Sequence, residues 1–581
     1  MFDDWRIQER SRLIGALVAA KYWISAGSAW GAQSGASRDS EAATEEFVGG
    51  LATIDWVIIA VYGFSTIALG WYFGRRQQST KEYFVGSGGM NPFLIGVSLF
   101  ASLLSTISYL SMPGEVAGKG PSYLALLLAF PLGYLVISYW MLPVYMQQKV
   151  TSAYELLENR LSLGLRLLGA SMFLAMRLVW MSLLIYLAAK AMSLMMYGDN
   201  SHVTQIVWIT GIVSVFYASI GGLRAVVITD LIQTILLFGG ALLVVATVTY
   251  RFGGLGWFPT DWQSHWDSQP LFSFDPGVRV TVFGSVISVM VWFVCTSGGD
   301  QVSVQRFMAT TDANAARGAL ATQVGVTLIV QITLGIVGFA LLGFYAANQE
   351  AIPMGLSLKQ SADNLFPQFI AHELPIGVAG LVVAAMFAAA MSSIDSGVNS
   401  ITAVVSTDFL DRFGFRPSTE KSQVLVARFL AFSIGVAVIY GSSYIGAIEG
   451  NITAVTNKTV NTFAPPLFAL FVFALFIPFA HPIGVWIGTL CAIVVSLIMA
   501  FSGAIVLYLA DHFQIDPGTF GTAIVTRIDP DTQENIRTAA DPISFQWIGP
   551  VALLVNIVVG CALSWVLTRG KVPASHDSAT N

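Results

Sequence analysis

Apolar runs of about 20 residues recur along almost the whole chain, and they restrict its fold more than any other feature. Each run is long enough to cross a hydrocarbon core about 30 Å thick. The runs are continuously apolar, whereas the strands of a membrane barrel would alternate apolar and polar residues. Only 11% of the 581 residues are charged, against about 25% in soluble domains. The sequence therefore predicts an all-α membrane protein.

Thirteen candidate spans can be placed along the sequence, and hydropathy fixes their ends to within several residues. They lie near 54–73, 92–117, 122–146, 166–196, 204–220, 225–250, 279–303, 317–346, 376–404, 424–446, 452–477, 481–510 and 546–568. Lysine and arginine, including Arg75, Arg306 and Arg412, are concentrated in the odd-numbered loops. By the positive-inside rule, these loops and the tail 569–581 are cytoplasmic and the N-terminus is outside the plasma (inner) membrane.

The segments at the two ends of the span region are predicted to be additions. Residues 1–50 are an extracytoplasmic tail or a signal peptide. Arg10 and Arg12 before a short apolar stretch favour the signal peptide, whereas the interruption of the apolar region by Lys21 favours the tail. Residues 51–91 form an extra first helix and its loop, and residues 478–568 form two additional helices.

Two internal segments begin alike. Residues 92–250 and 279–477 each hold five candidate spans, and their first helices are interrupted at Ser111–Gly114 and at Thr296–Gly299 respectively. Because five is odd, the second segment runs with opposite topology. Interrupted helices at matching places in two halves favour a transporter with inverted repeats. The alternative is the ordinary glycine and proline content of membrane helices.

Charged residues inside a membrane are costly, so each one needs a reason. Asp395 lies well inside the span 376–404, and a helix would place Ser392, Ser396 and Asn399 on its face. Hard cations prefer several oxygen ligands, so this face is a candidate ion site. Small residues also permit a close helix–helix contact, which is the alternative, although that does not explain the carboxylate.

Five motifs in order resemble the sodium/solute symporter family, which includes the sodium/glucose, sodium/iodide and sodium/monocarboxylate cotransporters. They are Thr80–Phe84, Tyr154–Arg160, Gly221–Gln233, Asp300–Arg306 and Ala388–Ser400. The likeness extends from residue 54 to about residue 477. It implies a leucine-transporter-type fold of 5+5 inverted repeats and symport of a small solute with sodium.

The resemblance also implies the positions of ion sites. The main sodium site would use the carbonyls of Ala101, Leu104 and Ala389 and the hydroxyls of Ser392 and Ser393. A second cation site would use Asp230, Asp395 and Ser396. The resemblance allows a stoichiometry of either one or two sodium ions, and proton coupling through Asp395 is an alternative. Sodium is transported, and no organic cofactor is expected.

The solute is predicted from the same comparison to be an organic anion, similar to a monocarboxylate. The sugar branch carries a Glu-Gln pair where this chain has Ile107 and Ser108, whereas Pro113-x-Glu115 resembles the branch for iodide, monocarboxylates and vitamins. A sodium/sugar symporter is the alternative. The candidate substrate-binding residues are Thr106, Ser108, Arg177, Thr296 and Asn457.

Arg177 would bind a carboxylate through two hydrogen bonds, or it would pair with an acidic residue on a neighbouring helix.

Other classes of function are not expected. The sequence has no nucleophile–base constellation and no histidine deep in a predicted span, which argues against an enzyme. It has no basic cluster beyond short loop patches, which argues against a nucleic-acid partner. The predicted partners are the solute and the lipid bilayer, and the oligomeric state cannot be derived from the sequence.

Overall fold

The fold is described by a computed structural model that covers residues 51–75, 77, 79–148, 150–352, 358–359, 362–445, 452–528 and 535–569. About four-fifths of these residues are helical. Helices α1 to α19 run over Thr53–Gly74, Thr80–Val85, Pro92–Leu103, Thr106–Lys119, Ala129–Val136, Leu142–Tyr145, Glu155–Arg160, Leu163–Tyr197, Val203–Arg251, Val282–Gly299, Gln301–Met308, Ala313–Ala347, Ala362–His372, Val378–Val404, Glu420–Ile445, Ile452–Phe476, Pro482–Ala500, Ser502–Phe513 and Ile548–Arg569.

Short irregular helices and one hairpin complete the description. A 3₁₀ segment, Pro121–Leu128, precedes α5, and π segments Ile137–Met141 and Val405–Asp411 follow α5 and α14. Strands β1 (Ile524–Ile528) and β2 (Asn535–Ala539) pair antiparallel. The predictions for the N-terminal segment 1–50 and for nearly all of the tail 569–581 concern residues outside those described.

Among the described residues, ten helices are long and apolar enough to span a membrane, or eleven when a bent pair is counted as one span. The predicted number of thirteen is not confirmed, for two reasons. Helix α9 covers two of the predicted spans but forms one long element of 49 residues. Helix α16 contributes only a shorter apolar stretch, Val460–Phe476.

A kink at Gly222 divides α9 where the sequence predicted a loop. Gly222 has φ 57° and ψ −170°, a left-handed backbone that residues with a Cβ rarely adopt. A Cβ here would also lie 2.9 Å from the carbonyl oxygen of Tyr83. The glycine therefore allows the two halves of α9 to change direction while α2 packs closely against them.

Helices α3 and α4 form one span that is bent by 69°. At the break, Leu104 is extended (φ −76°, ψ 116°), and the side chain of Ser105 caps α4 by accepting a hydrogen bond from the Ser108 N–H. The prediction of a break at Ser111–Gly114 was therefore wrong. Pro113 lies two turns inside α4, whereas the cap at Ser105 starts a new helix before the proline is reached.

The second interrupted helix is close to its predicted place. Helix α10 ends at Gly299, and extended Asp300 caps α11 by accepting a hydrogen bond from the Val302 N–H at 2.9 Å. Each five-span set therefore opens on a helix that is broken by an extended residue and a side-chain cap. The exact boundaries 92–250 and 279–477 remain predictions.

Helix α14 lies at the centre of the described fold. Within the membrane-spanning stretch Val378–Asp411, 89% of the most apolar 18-residue segment is buried inside the protein. Helices α3, α8, α9 and α15 pack around it. A helix that lipid does not reach can carry polar residues that face other helices. The polar residues of α14 face the break between α3 and α4.

Candidate functional site

The first candidate site lies where α14 touches the end of α3. The Ser392 hydroxyl is 3.0 Å from the Ala101 carbonyl oxygen and 3.0 Å from that of Ala389. Because α3 ends at Leu103, the Ala101 carbonyl lacks its intrahelical partner and is free to accept from a side chain. Ser393 adds a second hydroxyl, 3.5 Å from the same Ala389 oxygen.

Leu104 completes this group at the break itself. Its N–H still donates to Phe100 at 2.9 Å, while its extended ψ turns its carbonyl out of the helical hydrogen-bond pattern. Ala101, Leu104 and Ser392 are at most 4% exposed. The arrangement offers buried, uncharged oxygens of the kind that hard monovalent cations use.

The second candidate site is a cluster of charged and hydroxyl groups below the break. Ser98 Oγ donates to Asp230 Oδ2 at 2.5 Å, and Ser102 Oγ lies 2.8 Å from Ser396 Oγ. Ser396 Oγ is also 3.2 Å from Asp395 Oδ1. The three predicted residues Asp230, Asp395 and Ser396 are thus brought together, with Ser98 and Ser102 between them.

Arg306 lies in the middle of this cluster, which corrects its predicted place in a cytoplasmic loop. Its side chain is fully buried on α11. Nε donates to Ser98 Oγ at 2.7 Å, and Nη2 donates to Ser396 Oγ at 2.6 Å and lies 3.5 Å from Asp230 Oδ2. The sequence reading missed it because α11 is a short, half-polar helix that hydropathy does not distinguish from a loop.

Asp395 has a separate partner on its other side. Tyr217 on α9 donates a hydrogen bond to Asp395 Oδ2. Gln233 Nε2 lies 3.5 Å from the same tyrosine oxygen. Asp230 retains one oxygen, Oδ1, that is buried and has no hydrogen-bond partner within the described structure. The cluster therefore contains two carboxylates, one guanidinium and one carboxylate oxygen without a partner.

A cavity of about 150 Å³ opens beside the break. By a similar measure a single water needs about 10–15 Å³, so the space suits a small organic solute. Its wall consists of Phe100, Leu103, Leu104, Ile107, Ser108, Ser111, Met112, Tyr123, Leu126, Phe130, Trp180, Ser288, Val289, Trp292, Phe293, Gln323, Thr327, Gln331, Val460 and Asn461. Its polar groups are all hydroxyl, amide and indole groups, and none of these lining residues is an aspartate, glutamate, lysine or arginine.

The predicted substrate residues are placed differently with respect to this cavity. Ser108 lines it. Thr106 is buried with an unpartnered hydroxyl beside the lining residue Ile107, and Thr296 bonds back to the Trp292 carbonyl at 2.8 Å. The side chain of Asn457 lies outside the described residues. Sequence reasoning missed Trp180, Trp292, Gln323 and Gln331, although two glutamines eight residues apart in an apolar span were a usable signal.

Arg177 forms a buried ion pair with Asp300, the residue that caps α11. The side chains of both residues are at most 6% exposed. Arg177 is not among the residues that line the cavity. The pair with an acidic residue of a neighbouring helix, one of the two sequence interpretations, is thus the arrangement observed.

An ionic cluster lies at one end of the cavity. Arg279 Nη2 lies 3.0 Å from Glu115 and 3.1 Å from Asp267, and Lys359 lies 2.7 Å from Asp267. Partial burial opposes ionisation of Asp267, but the hydrogen bonds from Lys359 and Arg279 outweigh it and lower its pKa. Tyr123 lies between this cluster and the cavity, since it lines the cavity and also a small pocket formed by Glu115, Asp267 and Arg279.

A second ionic cluster lies near the other end of the fold, where α7 meets α8. Arg166 binds Asp408 at 2.7 Å and Glu158 at 2.8 Å, and Arg412 binds Glu158 at 2.7 Å. The hydrogen bond from Arg412 is the main reason why the pKa of Glu158 is lowered. The two clusters tie separate helices together at opposite ends of the cavity-forming region.

Comparison with known proteins gives one consistent match. Residues 83–492 fit the model of the sodium:solute symporter family. The sodium/sialic acid symporter of Proteus mirabilis is 28% identical over 76% of this chain and 89% of its own. The sodium-dependent multivitamin transporter of Oryctolagus cuniculus is 26% identical over 92% and 85%, respectively. The sodium-coupled monocarboxylate transporter 1 of Xenopus laevis is 25% identical over 89% and 86%.

A solved structure shows the same fold. The outward-open, substrate-bound structure of a Na⁺-coupled sialic acid symporter superposes with a TM-score of 0.72 at 23% identity. The match covers 91% of this chain and 100% of the other. The expected all-α membrane fold of the leucine-transporter type is confirmed by this likeness.

Proposed function

The chain belongs to the sodium:solute symporter family, and from this premise we propose that it imports a small organic anion together with sodium. It is a multi-pass membrane transporter whose partners are a small solute and the lipid bilayer. The observation that carries the proposal is the contact of Ser392 with the Ala101 carbonyl at the end of the broken span.

The main sodium ion is proposed to bind among the oxygens of Ala101, Leu104, Ala389, Ser392 and Ser393. The Ala101 carbonyl, which is left over from the helix and accepts from Ser392, and the two hydroxyls support this site, because a sodium ion would replace these hydrogen bonds with stronger ion–oxygen contacts. The ligands come from α3 and α14, which belong to different repeats. Binding of the ion would therefore fix the relative position of the two repeats, which is how an ion gradient can control access to the cavity.

The solute is proposed to be an anion for two reasons. The relatives are named as carriers of sialic acid, vitamins, monocarboxylates and iodide. The N-terminus of α4, with the Ser105 cap, also lies at the cavity, where Ile107 and Ser108 line the wall. A helix N-terminus carries a partial positive charge and stabilises a carboxylate without any cationic side chain.

This arrangement replaces the role first considered for Arg177. Its guanidinium is engaged by Asp300 and therefore holds α8 against the start of α11. The charge of the solute would instead be balanced by the sodium ion and by the N-terminus of α4, both of which lie at the break.

A second cation is proposed to bind at Asp230, Asp395 and Ser396. Two ionised carboxylates and one guanidinium leave one unit of negative charge in a fully buried cluster, which is expensive in a membrane protein unless a cation balances it. The unpartnered Oδ1 of Asp230 supports this assignment. A second sodium ion would make the stoichiometry two sodium ions per solute, whereas a proton on Asp395 is the alternative.

The orientation is also a proposal: N-terminus outside, C-terminus cytoplasmic, in the plasma (inner) membrane. Removal of Arg306 from the loop count does not reverse it, because Arg75 and Arg412 still lie in loops on that side.

The test is uptake into proteoliposomes of purified protein across a panel of labelled solutes, namely sialic acid, pantothenate, pyruvate and glucose. Accumulation of one or more of the carboxylates under an inward sodium gradient, and not under a matched potassium gradient, is expected. Sodium-driven uptake of glucose alone would replace the anion proposal with the sugar alternative. Uptake that follows a proton gradient and ignores sodium would contradict the coupling ion.

A further inference from the structure

We propose that Gln323 and Gln331 on α12 bind the uncharged polar part of the solute, so that the transporter selects carboxylates with an amide- or hydroxyl-bearing body over short monocarboxylates. This inference rests on the proposed function, because it takes the solute to be an organic anion. It assigns binding residues to the part of the solute that the carboxylate site does not contact.

The two glutamines are buried beside the cavity. Gln323 is 1% exposed and Gln331 is 9% exposed, and both line the cavity. The Oε1 atom of each side chain has no hydrogen-bond partner within the described structure. A buried amide left unpaired costs about 1–3 kcal/mol, so the pair is explained most simply by a ligand that satisfies it.

Other polar residues of α12 do not share this property. Thr327 donates to the Gln323 carbonyl at 2.8 Å, and Thr333 donates to the Ile329 carbonyl at 2.8 Å. Both hydroxyls are thus satisfied by their own helix. Only the glutamine side chains on this helix face the cavity with an unpaired buried oxygen, within the described residues.

The contacts of α12 with the broken span show the position of each glutamine along the length of α3 and α4. Gly96 on α3 packs against the carbonyl of Ala319, and Gly338 lies close to the Pro113 carbonyl on α4. Gln331 precedes Gly338 by about two turns, or ~10.5 Å, which sets it level with the start of α4.

Gln323 follows Ala319 by about one turn, or ~6 Å, which sets it level with Phe100 near the end of α3. The two amides therefore flank the break from either side, facing the same space as the N-terminus of α4. A carboxylate at that helix end would leave the rest of the solute within reach of one or both amides.

The remaining wall suits such a body. Tyr123, Trp180 and Trp292 present aromatic surface, and Ser111 and Asn461 add further uncharged polar groups. Each amide offers both donor and acceptor groups, so it can pair with an N-acyl group, a peptide-like amide or a hydroxyl. Once its carboxylate is bound, pyruvate has only its ketone oxygen left, which cannot pair with both amides.

The test uses the full-length protein in proteoliposomes with labelled sialic acid, pantothenate and pyruvate as probes. Gln331→Met keeps the side-chain length but removes the amide, Gln323→Met does the same at the lower level, and Gln331→Asn keeps an amide. Thr333→Val is the matched control, since it removes a satisfied hydroxyl of α12 outside the cavity wall.

We expect at least one Gln→Met variant to raise the KM for sialic acid or pantothenate by about tenfold or more, with pyruvate uptake and the sodium half-saturation changed by less than about twofold. Gln331→Asn should restore part of the loss, and Thr333→Val should behave as wild type. An unchanged sodium concentration for half-maximal uptake shows that each variant is folded. If pyruvate is not carried, this value is the unaffected property with which the change in KM is compared.

Equal effects on all solutes, or no effect, would overturn the selectivity role. Wild-type uptake of pyruvate but of neither larger acid would also overturn it while leaving the proposed function intact. Absence of any sodium-driven anion uptake would instead reject the proposed function, and the inference with it.

Discussion

Ser392 on α14 contacts the backbone of Ala101 on α3 across 291 positions of sequence, with 3.0 Å between its hydroxyl oxygen and the carbonyl oxygen. The contact exists because α3 ends two residues after Ala101 and leaves its carbonyl without an intrahelical donor. It links the broken helix of one repeat to the most buried helix of the other. A cation bound there would be held by both repeats at once.

Replacement of Ser392 by alanine removes one proposed ligand of the main sodium ion. We expect the sodium concentration for half-maximal uptake to rise by about 10–100-fold, the range for the loss of one interaction with a charged group. Thr402→Val on the same helix is the control, because the Thr402 hydroxyl donates to the Val398 carbonyl of its own helix at 2.6 Å. An unchanged sodium dependence in Ser392→Ala and in Ser392→Ala/Ser393→Ala would remove these residues from the site.

Asp395 is expected to set the number of cations that move with each solute. Asp395→Asn removes one buried negative charge while keeping a similar shape, so the cluster with Asp230 and Arg306 becomes neutral. The ratio of sodium to solute, measured from reversal potentials in proteoliposomes, should fall from two to one. A ratio of one in the wild type, unchanged by the substitution, would show that the second cation is not sodium.

The pair between Arg177 and Asp300 is expected to be structural. Arg177→Gln alone leaves a buried carboxylate unpaired and should lower the stability by about 3–5 kcal/mol, measured as a lower thermal unfolding temperature in detergent. The double variant Arg177→Gln/Asp300→Asn removes both charges and should recover most of the stability and the uptake. If uptake of carboxylates stays abolished in a stable double variant, Arg177 contacts the solute after all.

Gly222 is expected to be intolerant of a side chain. Gly222→Ala places a Cβ at φ 57° and 2.9 Å from the Tyr83 carbonyl oxygen, and the backbone conformation alone costs about 1–3 kcal/mol. The unfolding temperature should therefore fall. Gly239→Ala is the control on the same helix, since a Cβ there has no neighbour within 4 Å; it should leave the temperature unchanged or raise it slightly. Equal effects of the two substitutions would contradict the strained kink.

The sequence predicted the membrane fold and the residues around Asp395 because apolar length and a polar helix face are local properties. It misplaced the first break, since Pro113 is a more obvious interruption than the Ser105 cap, and only the extended Leu104 distinguishes the two. It also misplaced Arg306, because a short polar helix folded into the core has no local mark of burial. The contacts that bury Arg306 join residues more than 70 positions apart, which periodicity does not encode.

The cavity could be predicted only in part. Ser108 was a candidate from the family resemblance and does line the cavity, but Gln331 and Trp292 reach the same space from α12 and α10. Their heights depend on how those helices pack on α3 and α4, through close contacts such as that of Gly338 with Pro113.

The coupling of sodium to an organic anion is tested most directly by driving the reaction from the solute side. Proteoliposomes with equal sodium on both sides and an inward gradient of a carried carboxylate should accumulate ²²Na⁺ above its equilibrium level, and Ser392→Ala/Ser393→Ala should abolish this accumulation. Solute entry without any movement of ²²Na⁺, accompanied instead by acidification of the lumen, would contradict sodium symport.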